Sequence, residues 1–240
     1  MKIIKCDNYD DMSLKASELI IKDMQNKKNI CLGLATGSTP IGLYKHLIQA
    51  NKQNKITFKD VISFNLDEYV GISQQHPQSY YQYMMTHLFN HVDMNKSHIH
   101  LPNNDQNHLQ NNVNTYNKLL NNTQIDLQVL GIGNNGHIGF NEPNTPFENE
   151  TFIVDLDEDT RKANQRFFDS LEEVPTKAIT MGIKNIMQAK KIVLLASGKH
   201  KAQAVKQMID GEVTPKMPAS VLQLHPNVYI FVDKEAGALI

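Results

Sequence analysis

Residues 131–143 read GIGNNGHIGFNEP. Thirteen positions hold four glycines, one histidine and one glutamate, with His137 and Glu142 five residues apart. Imidazole is suited to moving protons near neutral pH, because its unperturbed pKa is about 6.5. A carboxylate within reach of the ring fixes its tautomer, the orienting role that acids play beside other histidine bases. Gly131 and Gly133 let the chain turn sharply after the apolar run at 125–130, and Gly136 and Gly139 thin the backbone around the ring. A lone histidine is as readily a satisfied structural group, so the chemistry depends on what surrounds His137.

Four further stretches carry candidate groups. FNLDEYVG places Asp67 and Glu68 directly after another apolar run. A carboxyl raised by burial from about 3.9 toward neutrality becomes a general base. Adjacent side chains tend to point apart, so only one of the two is expected to face a site; a capping or turn aspartate is the plainer alternative. GLATGSTP, at 33–40, offers Gly37 for a positive φ or a close backbone approach. Its Ser38 and Thr39 bring hydroxyls and N-cap chemistry, and Pro40 suits the first turn of a helix. A helix start of this kind holds anions on its free N–H groups. The lysine of a P-loop is missing, which argues against a nucleoside triphosphate.

SGKHKAQAV puts Lys199 and Lys201 in the first turn of a helix, where the dipole disfavours cations. Local violations of that kind point weakly to function; solvated lysines explain them equally well. TRKANQRFF carries Arg161, Lys162 and Arg166, and Arg166 can clamp a phosphate bidentately or lie on the surface. His87 and His91 are spaced i,i+4 without an acid or cysteine to complete a metal set, and read as structural.

These groups need elements to hold them. Nearly continuous apolar runs at 30–35, 61–65, 125–131, 192–196 and 228–232 read as buried strands. Amphipathic patterns near 10–25, 40–52, 79–91, 106–121 and 199–209 read as helices. Strands separated by helices argue for an α/β fold: an open, mostly parallel sheet with helices on both faces. In such sheets ligands sit beyond the carboxyl ends of the strands, where the polar stretches above all fall. The pattern loosens between 144 and 175, which reads as a lid-like excursion from a single domain spanning 1–240.

Two hundred and forty residues suit one α/β domain, and 40% hydrophobic residues supply a sizeable core. A formal charge of −1 gives no electrostatic footprint for nucleic acid. Cys6 and Cys31 fit no zinc spacing and no disulfide framework, and read as buried thiols in a reducing cytosol. The opening MKIIKCDNYDD lacks a secretory apolar core, and no apolar run approaches the roughly 18 residues of a membrane span. A cytoplasmic protein without membrane or nucleic-acid partners is expected.

Taken together, GLATGSTP, FNLDEYVG with HPQSYY, GIGNNGHIGFNEP, DTRKANQRFF, SGKHKAQAV and LQLHP resemble the isomerising glucosamine-6-phosphate deaminase family. The motifs run in order from residue 30 to residue 226. The resemblance implies conversion of glucosamine 6-phosphate and water to fructose 6-phosphate and ammonium, with no metal and no organic cofactor. The sugar ring opens, a proton moves from C2 to C1, and ammonia leaves. Asp67 matches the base for that proton. His137 matches the ring-opening residue, supported by Glu142. Asn135 stands where some members carry Asp, as a polar member of the ring-opening group that cannot be a carboxylate base. Gly37, Ser38 and Thr39, with Arg166 and Lys201, match the phosphate grip. A phosphate anchored there would position C1 and C2 over Asp67. One charge pair at about 4 Å gives roughly 4 kcal/mol at an effective dielectric near 20, before desolvation.

Longer relatives extend beyond the position of Ile240, and allosteric forms assemble as hexamers activated by N-acetylglucosamine 6-phosphate. The short C-terminus and the divergent 144–150 segment imply a non-allosteric enzyme, monomeric or of low oligomeric order. Two rivals remain. A 6-phosphogluconolactonase shares the fold and a related GxGxDGH turn, but the continuation IGFNEP favours the deaminase. A non-catalytic sugar-phosphate-sensing module would have no need for Asp67 and His137 together.

Overall fold

The computed structural model describes residues 1–156, 161–162, 165, 168 and 170–240. All five apolar runs form strands: Cys31–Leu34 (β2), Ile62–Asn65 (β3), Leu127–Leu130 (β6), Ile192–Ala196 (β9) and Val228–Val232 (β10). Lys2–Lys5 (β1) and Ile99–His100 (β5) join them in one seven-stranded parallel sheet of order β1-β10-β9-β6-β2-β3-β5. Every residue of β2, β6 and β9 is buried. A strand is buried at every position only when both faces of its sheet are covered, which explains the continuous apolar runs.

The helices given in full by the described residues are Tyr9–Asn26 (α1), Ile41–Lys52 (α2), Tyr80–His87 (α3), Leu109–Asn121 (α4), Ile183–Met187 (α5) and Ala202–Asp210 (α6). Asn8 caps α1, its side chain accepting the Asp11 N–H at 2.9 Å, and Asp10 and Asp11 add favourable charge in the first turn. Three expected helices are shorter at one end. Residues 89–91, 106–108 and 199–201 are 3-10 turns flanking α3, α4 and α6. Neither Ser38 nor Thr39 caps α2, whose N-cap position is Pro40.

A second sheet went unread in the sequence. Asp67–Tyr69 (β4), Phe152–Asp155 (β7) and Lys177–Thr180 (β8) form a three-stranded antiparallel sheet of order β4-β8-β7. The loosened 144–175 segment thus supplies an edge strand to this sheet. Its own small core is aromatic: Tyr69, Phe140, Leu156 and Ala178, with Tyr80 and Phe168 packed against them.

From β2 the chain proceeds through β3 to β5 on one side, then returns across β2 to β6 and proceeds through β9 to β10 on the other. The strand order therefore reverses between β2 and β6. A crevice opens at such a switch point, beyond the carboxyl ends of the strands.

Candidate active site

A cleft of about 680 Å³ occupies that crevice. Loop 36–40 after β2, the turn after β6, Asp67 and Tyr69 of β4, one side of α3, and Lys201 after β9 line it.

The turn after β6 folds back on itself, the Gly133 N–H donating to the His137 carbonyl at 2.9 Å. The His137 ring lies flat on Gly133. A Cβ on that glycine would stand 2.4 Å from Cε1 and 2.5 Å from Nδ1, so no side chain fits there. The ring lines the cleft. Its Nδ1 stands 3.1 Å from Glu142 Oε1, with no hydrogen bond formed between the two atoms. Asn135 completes the group: its Nδ2 donates to Glu142 Oε2 at 2.7 Å and its Oδ1 accepts the His137 N–H at 3.2 Å. Asn135 and Glu142 thus stand behind the ring rather than on the cleft wall.

Asp67 is 6% exposed and faces the cleft from β4. Burial, with the neighbouring Glu68 charge adding to it, pushes its carboxyl up to about 8. A carboxyl with so high a proton affinity is a strong base once ionised.

Loop 36–40 is held by its carbonyls. The hydroxyls of Tyr44, Tyr83 and Tyr9 donate to the carbonyls of Ala35, Gly37 and Ser38. Gly37 has φ +97°, and a Cβ there would meet open space, so backbone conformation alone demands glycine. Among the described residues, the N–H groups of Gly37, Ser38 and Thr39 make no hydrogen bond. With the uncapped N-terminus of α2 they form a donor-rich concavity suited to an anion.

Lys201 reaches the same cleft, and burial lowers its proton affinity. No carboxylate among the described residues pairs with it, so a cation is desolvated there without an anionic partner. Lys199 is exposed, its N–H donating to Glu235. Asp233 fixes the loop before Lys201 by accepting the Ser197 hydroxyl and the Gly198 N–H. Arg166 lies outside the described residues. Arg161 donates to the carbonyls of Leu171 and Val174 at 2.7 and 3.2 Å.

Several lining residues were not legible in the sequence. His87, read as structural, faces the cleft and packs on Tyr83 with ring centroids 4.4 Å apart. Tyr69, Tyr80, Phe140 and Phe168 supply an aromatic wall. The i,i+3 and i,i+4 spacing of Tyr80, Tyr83 and His87 on α3 was the available signal. His91, by contrast, bonds the Thr86 carbonyl at 2.9 Å, a structural use.

The family model for glucosamine-6-phosphate isomerases and 6-phosphogluconolactonases matches residues 8–230. The chain belongs to this family. A glucosamine-6-phosphate deaminase of Thermoanaerobacter pseudethanolicus is 54% identical over 241 residues, covering 100% of this chain and 95% of the relative. The solved structure of a monomeric glucosamine-6-phosphate deaminase superposes with a TM-score of 0.97 at 42% identity, covering both chains fully. A 6-phosphogluconolactonase of Trypanosoma brucei, 18% identical, superposes with a TM-score of 0.77 over 99% of this chain and 97% of its own. That second likeness is one of fold. Within the family, sequence identity sets this chain beside the deaminases.

Proposed function

We propose that this chain is a glucosamine-6-phosphate deaminase, converting glucosamine 6-phosphate and water to fructose 6-phosphate and ammonium. One observation carries the reading beyond family membership. A buried high-affinity carboxyl, an acid-backed imidazole and a cation with no carboxylate partner among the described residues, beside a donor-rich loop, share one cleft. Proton transfer and phosphate binding are thereby combined at sugar-phosphate scale.

In the proposed sequence, loop 36–40 and Lys201 take the phosphate, with Arg166 as a further cation. His137 has Nδ1 turned to Glu142, which leaves Nε2 for the substrate. It removes the C1 hydroxyl proton and returns a proton to the ring oxygen, opening the sugar. Asn135 and Glu142 orient it. Asp67 then takes the proton from C2 and delivers it to C1, while a proton passes from the C2 ammonium to O1, so that the C1 aldehyde becomes a hydroxymethyl group and C2 an iminium carbon. Water adds to C2, and nitrogen departs as ammonium. The substrate ammonium beside Asp67 favours the carboxylate, offsetting part of the burial that otherwise keeps it protonated at neutral pH.

The whole chain is proposed as one enzyme domain acting as a monomer in the cytoplasm. The likeness to a monomeric deaminase supports the first two points, and two buried free cysteines suit a reducing compartment. Segment 144–175, which brings Phe168 to the cleft, is proposed as its cover. Among the described residues no helix is long and apolar enough to cross a membrane.

The direct test is to supply glucosamine 6-phosphate and measure ammonium and fructose 6-phosphate. Equal yields of the two are expected. Hydrolysis of 6-phosphogluconolactone without ammonium release from the amino sugar would reject the reading.

A further inference from the structure

Glu68 has no part in the steps above, yet it is 2% exposed and its carboxylate is fully engaged. Oε1 accepts the backbone N–H groups of Tyr69 at 2.9 Å and Tyr80 at 3.0 Å, and Oε2 accepts that of Tyr81 at 3.0 Å. Tyr80 and Tyr81 open α3, so the carboxylate sits on the N-terminus of that helix, next to the Ser79 cap. Negative charge is favoured there by the helix dipole. The same helix gives Tyr80, Tyr83, Thr86 and His87 to the wall of the cleft. Glu68 follows Asp67 directly on β4, so the two side chains leave opposite faces of one strand.

We propose that Glu68 is a positioning residue for the proton transfer: it locks the α3 wall onto the strand that carries Asp67, and it holds a negative charge beside that carboxyl. The kinetic consequence rests on the deaminase reading; the electrostatic one does not. Three N–H donors favour the ionised form of Glu68, whereas no backbone N–H among the described residues donates to Asp67. Glu68 therefore releases its proton first. Burial raises both carboxyls, and the Glu68 charge raises Asp67 further.

The other groups near Asp67 do not supply that charge. The phenols of Tyr69 on β4, Tyr80 on α3 and Tyr116 on α4 are all pushed above their ordinary range by burial and stay neutral. His137 and Lys201 line the same cleft and, when protonated, act in the opposite direction.

Two variants separate the charge from the tether. Glu68→Gln removes the charge and keeps one oxygen acceptor. Glu68→Asp keeps the charge but shortens the reach to α3 by one methylene. In Glu68→Gln the acid limb of kcat/KM should move to lower pH by about one unit, the scale on which coupled carboxyls interact. Carboxyl-carbon NMR of Asp67 in the ligand-free protein should show the same downward shift, a readout that needs no turnover. In Glu68→Asp the Asp67 titration should stay near wild type while KM rises and kcat falls, as the α3 wall loosens.

An unshifted Asp67 titration in folded Glu68→Gln overturns the proposal, and so does a Glu68→Asp variant with wild-type KM and kcat. If Glu68→Gln does not fold, Glu68→Asp decides alone. Wild-type protein that releases no ammonium defeats the deaminase reading, and the NMR titration then decides the charge relation by itself.

Discussion

Asp67 stands opposite Thr180 in the antiparallel register of β4 and β8. The proposed base therefore belongs to the small sheet, while His137 and loop 36–40 hang from the large one. The Thr180 hydroxyl accepts the Phe140 N–H at 3.1 Å, stitching the glycine-rich turn to the strand facing the base. A Cβ on Gly139 would lie 3.6 Å from Asp67 Oδ2, so the turn passes directly against the carboxyl. The separation of relay and base is set at this seam.

Asp67→Asn should abolish turnover while substrate still binds, because an amide of the same size cannot accept the C2 proton. It should also stabilise the protein in a pH-dependent way. Burial pushes the folded carboxyl up to about 8, against about 3.9 for an ordinary aspartate, so the native state holds the proton longer than the unfolded chain. Wild-type stability then falls as pH rises from about 4 to about 8, and the Asn variant escapes that loss. The difference in Tm, variant minus wild type, should widen across this window. A constant difference would mean that Asp67 is not raised.

His137→Gln should slow deamination of cyclic glucosamine 6-phosphate by about 10² or more, the usual scale for losing a proton-transfer group. Solvent-deuterium exchange at C1 of open-chain fructose 6-phosphate should be affected much less. Equal losses in both assays would move His137 from ring opening to enolisation or to the scaffold.

Gly133→Ala tests the platform under the ring. The new methyl would collide with His137 2.4–2.5 Å away and displace it from Glu142. The expected result is a lower kcat with KM little changed, since the phosphate loop is untouched. A rise in KM alone would place the ring in binding rather than proton transfer.

Lys201→Ala should raise KM strongly at low salt, because one phosphate charge loses its partner. Phosphate binding to the native state should raise Tm in wild type, and that gain should shrink in the variant. An undiminished gain would shift the phosphate site away from the loop after β9.

At the edges of the large sheet β1 and β5 have no buried position and went unread. Its other five strands were legible because β2, β6, β9 and their neighbours are covered on both faces, which leaves uninterrupted apolar runs. The small sheet was not. β4 is three residues long and two of them are carboxylates, so neither length nor period marks it. β7 shows no fully buried position and sits in a segment of mixed polarity. Asp67 was thus visible as a candidate while the strand holding it was hidden. Asn135 came only from the family resemblance, whereas the His137 and Glu142 pair was readable from spacing because a tight turn keeps it local. Glu68 and Asp233 were not, because their partners lie 12 or more residues away or in backbone N–H groups that no residue type reveals. The capping role expected of Ser38 and Thr39 failed because the helix starts one residue later than the motif suggests, at Ile41.

The edges of the large sheet bear on how copies of this chain meet. β5, at one edge, is two residues long and too short to template a neighbour. β1, at the other, reads KIIK, and its lysines are tied down, Lys2 to the Tyr229 hydroxyl and Lys5 to the Ile240 carbonyl. Lysines on an edge strand disfavour the addition of a strand from a second chain. Both edges of the large sheet are thereby poor templates for strand addition.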